Sequence, residues 1–576
     1  MGQPKSSPDQ LRSHRWFGVI DMRSFSHRAR TLQMGFRREE FVGRPVIGII
    51  NTWSDLNPCH AHMRDRAEDV KRGVWQAGGY PVELPALSLG EVMVKPTTML
   101  YRNLLAIEVE ELIRSHPLDA VVLMGGCDKT GPALMMGAIS AGLPCLFVPA
   151  GALLRGNFQG RFIGSGVDTW RYWDEFRAGR ISQDEWHGVE QGMARSVGHC
   201  NTMGTATTMM GLIETLGFML PGASSILAAD SNHQRMCSAA GIRAVEMAWA
   251  DLSPQDVLSP ASFQNALVAF AAMAGSTNAV VHLLAMAGRA GIPLSLEDFD
   301  RVGREVPVIA NLRPNGAYLM EDFFYAGGIL AMLDLLRDRL DLSARTISGT
   351  TLAEHLAGAA RWNADVIRDL DRPVVDQPGL AVLRGNLAPN GAVIKPAAAT
   401  PELMRHTGRA LVFQHMREML EAVKREDLEC YPDDVLVLQS AGPVGAPGMP
   451  EWGMLPIPTK LLKAGVKDMV RVSDARMSGT SYGTCVLHVA PESAVGGPLG
   501  LVRTGDRITL DVDARLIQLE VSDAELAARR AAWTPPPAPY ARGYGAMFAQ
   551  HIGQADEGCD FDYLKGTAPV PEPEIL

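Results

Sequence analysis

The stretch that most constrains this chain is Val121-Val122-Leu123-Met124-Gly125-Gly126-Cys127-Asp128-Lys129-Thr130-Gly131-Pro132. A β-branched apolar run ends in two glycines. A thiol, a carboxylate and an amine follow without a gap, and a helical pattern begins at once. This is a strand, a tight turn and a helix N-terminus, with metal-ligand chemistry placed in the turn.

Strand and helix alternate around it. Pro45 to Ile50, Pro81 to Pro85, Ala120 to Met124 and Pro144 to Pro149 read as short buried strands. Helical patterns run from about Ala61 to Ala77, Tyr101 to Ser115 and Ala133 to Ala141. Alternation at this spacing predicts an α/β region, a parallel sheet flanked by helices on both faces. Such sheets take ligands at the carboxyl ends of their strands. The loops holding Cys59, Glu91 and Cys127 to Lys129 each follow a strand, so all three are expected at one edge.

Residues 182–300 read as mostly helical. The turn Gly198-His199-Cys200-Asn201-Thr202-Met203-Gly204 opens a helix from Thr207 to Leu216, and Met273 to Leu284 and Glu321 to Leu340 also have helical patterns. Near residue 375 the character changes. Arg372 to Leu380 reads as a linker, and short strands follow at Val435 to Leu438, Met469 to Val472, Cys485 to Val489, Arg507 to Val512 and Leu516 to Val521. The expected organisation is a large N-terminal α/β domain, residues 1–378, and a C-terminal β-barrel domain, residues 379–576. Two polar loops lie within the second, Ser440 to Trp452 and Ser473 to Gly483. The basic arm of residues 1–40 is expected on the surface or against another subunit.

Composition narrows the class. The chain has 576 residues, 47% of them hydrophobic, which is enough for sizeable cores, and its net charge of -10 provides no basic footprint for nucleic acid. No apolar run reaches the roughly 18 residues of a membrane span. The cytoplasm is the expected compartment. Eight cysteines in this length are too few for a disulfide scaffold. Cys145 and Cys485 sit in strand-like runs and read as small core residues. Cys59, Cys127 and Cys200 instead sit in loops at the ends of apolar runs.

Three loop thiols are one short of a closed tetrahedral site, which suits a metal group with an open position. They are too far apart for a local zinc knuckle. Spacing alone leaves a shared metal site and buried structural cysteines both open. His60 and His199 adjoin Cys59 and Cys200, yet sequence neighbours rarely meet as a catalytic dyad. Glu91 and Asp128 are hard oxygen ligands suited to Mg²⁺, although Asp128 taken alone is explained by helix capping. Lys129 is the anomaly, because the helix dipole disfavours a cation there. Its place makes sense if the amine is neutral, since a desolvated lysine titrates low. A neutral amine can take CO₂ and become a carbamate ligand. Glu451 fits a surface or a ligand role, and Ser478 read alone is a turn serine.

Together the motifs Asn57-Pro58-Cys59-His60, Gly125-Gly126-Cys127-Asp128-Lys129-Thr130, His199-Cys200-Asn201-Thr202-Met203-Gly204, Pro447-Gly448-Met449-Pro450-Glu451 and Asp474-Ala475-Arg476-Met477-Ser478-Gly479-Thr480 resemble those of the iron–sulfur dihydroxy-acid and sugar-acid dehydratases. The resemblance spans nearly the whole chain. It implies that Cys59, Cys127 and Cys200 hold an iron–sulfur cluster, 2Fe-2S rather than 4Fe-4S. It implies that Glu91, Asp128, a carbamylated Lys129 and Glu451 bind Mg²⁺, and that Ser478, as an alkoxide with Thr480 nearby, is the base. The implied reaction removes the C2 proton and the C3 hydroxyl of a 2,3-dihydroxy acid, with no net redox. The implied assembly is a homodimer or homotetramer.

Leu89-Gly90-Glu91 and Ala475-Arg476-Met477-Ser478 depart from the branched-chain members and resemble the aldonic-acid branch, the arabinonate and xylonate dehydratases. A small sugar acid is therefore the expected substrate. The 6-phosphogluconate branch is disfavoured, since no phosphate loop is evident. The rivals are a dihydroxy-acid dehydratase of branched-chain amino-acid synthesis and, in another class, a non-catalytic iron–sulfur sensor or binding protein.

Overall fold

A computed structural model describes residues 4–177, 179–566 and 570–575. Its N-terminal region is built on four parallel strands in the order β2-β1-β3-β4: β1 Val46–Asn51, β2 Tyr80–Pro85, β3 Ala120–Gly125 and β4 Cys145–Pro149. Every residue of β1 and β3 is buried, as a parallel sheet covered on both faces requires. Helices Met63–Gln76, Thr98–Ser115 and Thr130–Ala141 connect the strands. The Thr97 side chain caps the second of these by accepting from the Met99 amide. A short hairpin, β5 Gly156–Phe158 and β6 Arg161–Ile163, follows β4. Helix Thr205–Thr215 is buried along its whole length.

The C-terminal region is a closed eight-stranded barrel in the order β10-β11-β12-β8-β7-β14-β13-β9. Its strands are β7 Ala381–Gly385, β8 Ala388–Ile394, β9 Arg405–Phe413, β10 Val435–Leu438, β11 Arg471–Ser473, β12 Cys485–Ala490, β13 Arg507–Asp511 and β14 Leu516–Leu519. Parallel and antiparallel pairs are mixed. Ala392, Ile394, Val437, Val472, Ile508 and Ile517 fill the interior. On β8 and β12, Val393, Cys485 and Leu487 face the other way and join the core of the N-terminal region. The two regions thus share a packed seam.

Two expectations change. The helix expected from Met273 to Leu284 starts only at Asn278, because Ala274 takes φ +44° and the chain turns there. The helix expected from Glu321 to Leu340 breaks into Met320–Tyr325 and Gly328–Leu335, since Gly327 and Gly328 both have positive φ. In the basic arm, helix Met22–Gln33 buries Ser24, Arg28 and Thr31 and turns Met22 and Phe25 outward. Among the described residues, no helix is long and apolar enough to cross a membrane.

Candidate active site

The parallel strands deliver their loops to one edge. After β1, the Asn57 side-chain carbonyl takes the Cys59 amide at 3.1 Å and shapes the Cys59 turn. After β2, the Glu91 amide points at the Cys127 sulfur at 3.5 Å, and the Glu91 carboxylate accepts from Thr98 Oγ1. After β3 come Cys127, Asp128 and Lys129, the last being the N-cap of helix Thr130–Ala141. After β4, Gly151 O accepts the His199 amide at 3.0 Å and Ala152 bridges His199, which brings Cys200 to the same edge.

The three loop thiols lie near enough to act on one another electrostatically. All are free, and Cys127 hydrogen-bonds Cys59. That bond, burial and the charges of Cys127, Cys200 and Asp128 push the Cys59 thiol well above its usual range. Burial, then the Asp128 charge, pushes Cys200 up to about 12. Cys59 and Cys200 resist ionising and need a cation to become thiolates, and a thiolate-bound metal group fits the three-thiol donor set.

Three carboxylates converge beside them. The fully buried Lys129 Nζ stands 2.9 Å from Glu91 Oε2, 2.9 Å from Glu451 Oε1 and 3.5 Å from Asp128 Oδ2. The same Glu451 oxygen accepts from Asn278 Nδ2 at 2.7 Å and pairs with Arg476 at 3.0 Å. Burial raises Asp128 to about 6, with Lys129 opposing and Glu91 and Glu451 assisting. Burial also works to raise Glu451, but Lys129 and Arg476 together override it and hold the carboxyl at about 2. The two acids differ because Lys129 stands closer to Glu451, and because Arg476 and Asn278 contact Glu451 as well. Converging hard oxygens suit a small divalent cation. Among the described residues, no three His, Cys, Asp or Glu side chains are spaced as a ready-made metal site. At the carboxylates, the Lys129 amine itself stands at the point of convergence.

The expectation of a low-titrating Lys129 is corrected. Burial does lower its pKa, but the Glu451 and Glu91 charges outweigh burial and raise it above the usual lysine range. The free amine is held as an ammonium.

Ser478 and Thr480 lie on the loop after β11, with Ser478 Oγ 3.0 Å from Thr480 Oγ1. Asp474 pins the base of this loop, taking the Ala441 amide at 2.9 Å and Ser493 Oγ at 2.6 Å. Fully buried Arg476 donates to Met449 O at 2.8 Å and so joins this loop to the one bearing Glu451. A Cβ on Gly479 would fall 2.7 Å from Ser276 Oγ and from the Thr205 amide, so glycine lets the loop lie against helix Thr205–Thr215. Gly448, at φ +89°, approaches Leu100 and Thr97 as closely, which seats the Glu451 loop on the helix beneath Glu91. Thr205 Oγ1 accepts from Asn278 Nδ2 at 2.9 Å, so Asn278 links the Ser478 neighbourhood to Glu451.

The thiols, the carboxylates and Lys129 therefore meet at the seam, and the loop bearing Ser478 and Thr480 is linked to them through Arg476 and Asn278. Sequence reasoning missed the supporting ones. Arg476 lay inside a quoted motif. Asn278 closes a polar run, Gly275-Ser276-Thr277-Asn278, between apolar helices, and a buried polar turn of that kind is a signal in itself.

Comparison with known proteins agrees along the chain. Residues 44–355 match the dihydroxy-acid/6-phosphogluconate dehydratase N-terminal family, and residues 365–559 match its C-terminal counterpart. The chain is 53% identical over 578 residues to the 6-deoxy-6-sulfo-D-gluconate dehydratase of Pseudomonas putida, covering 100% of both proteins. It is 48% identical to the L-arabinonate dehydratase of Rhizobium leguminosarum bv. trifolii (strain WSM2304), covering 97% of both. It is also 48% identical to the L-arabonate dehydratase of Azospirillum brasilense, covering 98% of both.

Proposed function

The chain belongs to the dihydroxy-acid/6-phosphogluconate dehydratase family and is a hydro-lyase, and we propose that it removes water from a sugar acid to leave a 2-keto-3-deoxy acid. The observation that carries this reading is the meeting of three thiols and three carboxylates at one seam, with the Ser478 loop joined to the Glu451 loop through Arg476. Relatives named for arabinonate, arabonate and a sulfogluconate support an aldonate, such as L-arabinonate or D-xylonate, over a branched dihydroxy acid.

Cys59, Cys127 and Cys200 would hold an iron–sulfur cluster, 2Fe-2S rather than 4Fe-4S, and Glu91, Asp128, Glu451 and a carbamylated Lys129 would hold Mg²⁺. When bound, these groups supply Lewis acidity to the substrate's carboxylate and hydroxyl oxygens. Lys129 can lose its proton to accept CO₂ only when Glu91 and Glu451 turn their charge to another cation, so carbamate and metal are expected together. Ser478 takes the C2 proton. A free serine is too weak a base, so nearby positive charge must favour its alkoxide. Thr480 Oγ1, 3.0 Å away, is placed to donate to it. Asn278 and Arg476 hold Glu451 so that its oxygens keep their aim.

We take residues 1–378 and 379–576 as the two domains. The apolar surface of Ile20, Met22 and Phe25 supports a homodimer or homotetramer. Free thiols support a reducing compartment, the cytoplasm.

The test is keto-acid formation by iron- and magnesium-loaded protein on arabinonate, xylonate, gluconate, 6-deoxy-6-sulfogluconate and 2,3-dihydroxyisovalerate. Turnover of one or more sugar acids is expected. Turnover of dihydroxyisovalerate alone would replace this reading with the branched-chain one. A bound cluster with no turnover would leave an iron–sulfur binding protein.

A further inference from the structure

We propose that His60 is a positioning residue that ties the Cys59, Glu91 and Cys127 loops together, so that one imidazole sets the spacing of both ligand groups. The inference rests on the ligand roles proposed above. His60 is fully buried and adjoins Cys59, yet its ring turns to the next strand. Its Nε2 lies 3.0 Å from the Gly126 amide and 3.0 Å from the Cys127 amide.

Two N–H groups aimed at one ring nitrogen require a lone pair there, so the ring proton sits on Nδ1. Nδ1 faces Thr52 O at 3.1 Å, which accepts that proton. Thr52 is itself fixed, since its hydroxyl donates to Met124 O at 2.8 Å and its amide to the same carbonyl at 3.3 Å. The ring is thereby wedged between the ends of β1 and β3.

The third loop joins at the same carbonyl: Thr52 O also accepts from Ser88 Oγ at 2.5 Å, Asn57 Nδ2 donates to Ser88 Oγ at 3.0 Å, and Ser88 precedes Glu91 by three residues. Gly126 and Cys127 carry the first amides past the sheet-paired part of β3. With no acceptor they would be orphaned donors in a buried turn, which folded proteins avoid. The turn would relax, and the Cys127 sulfur and the Asp128 carboxylate would move together.

The experiment compares His60→Leu, His60→Gln and His60→Asn. Leucine removes the acceptor at similar size. Glutamine can place Oε1 where Nε2 stood, whereas asparagine ends short of it. Three quantities are read: amide hydrogen exchange at Gly126 and Cys127 in cluster-free protein, the rate of cluster loss after iron and sulfide loading, and kcat against KM. For His60→Leu we expect faster exchange, cluster loss faster by about tenfold and a kcat fall of about tenfold with KM little changed. His60→Gln should recover most of each, and His60→Asn should not. Unchanged exchange and cluster loss in His60→Leu would overturn the proposal, as would equal behaviour of the Gln and Asn variants. If His60→Leu does not fold, the Gln–Asn comparison decides. If the wild-type chain takes up no iron, the ligand reading falls, and amide exchange still judges His60.

Discussion

Lys129 and Glu451 are 322 residues apart in sequence, and their side chains meet at 2.9 Å across the seam between the parallel sheet and the barrel. Neither region holds a complete site. Glu451→Gln would leave Lys129 and Arg476 buried against a neutral amide. We expect a stability loss of about 3 kcal/mol, read by denaturant melts, and a kcat lower by about 100-fold. Activity and stability equal to wild type would remove Glu451 from the site.

Lys129 is the residue whose chemistry is most open to direct test. Loading with Mg²⁺ in ¹³C-bicarbonate should add a carbamate carbon resonance and a mass increment of one CO₂, both absent in Lys129→Met. Activity should fall in CO₂-free buffer and return with bicarbonate. Full activity with an unmodified lysine would discard the carbamate.

Ser478→Ala should lower kcat by about 1,000-fold and leave iron content and cluster spectrum unchanged. Thr480→Val should lower kcat by about tenfold, since its hydroxyl supports the Ser478 oxygen without replacing it. A Ser478→Ala variant with near wild-type turnover would move the base elsewhere.

Lys395, just past β8, has a buried amine with no hydrogen-bond partner among the described residues. Burial holds it at about 7, against an ordinary lysine value of 10.5. Between those values the unfolded chain keeps a proton that the folded chain has released. Stability therefore rises with pH through that window and is lowest below it. Lys395→Met should add about 3 kcal/mol at pH 7 and flatten the rise toward pH 10. Melts at several pH values check both, and a destabilised variant with an unchanged profile would show that Lys395 has a partner in solution.

Much of this architecture could be read from the residues, for physical reasons. Strands β1 and β3 are buried on both faces, so each is an unbroken apolar run ended by a turn former. The loops after them carry thiols and acids that no core would accept without a partner. Barrel strands β7, β8 and β9 escaped because Asn386 and Pro389-Asn390-Gly391 look like loop. Their apolar residues pack against strands more than a hundred positions away, such as β14. The helix breaks at Ala274 and Gly327 depend on backbone angles that an apolar period does not report. His60 invited comparison with its neighbour Cys59, but spacing says nothing about which distant peptide an imidazole will reach. The charge of Lys129 is set by acids that arrive from other loops, which the burial of one residue does not reveal.

The barrel closes only when β13 pairs with β9 and β14 pairs with β7. On the ribosome those are the last strands to emerge. The parallel sheet and its three thiols leave the exit tunnel much earlier, while the loops bearing Glu451 and Ser478 still lack a scaffold. For that interval a nascent chain carries the three thiols before the Glu451 and Ser478 loops are in place. Should Cys59, Cys127 or Cys200 be oxidised in that interval, the finished chain would lack the donors proposed for a cluster.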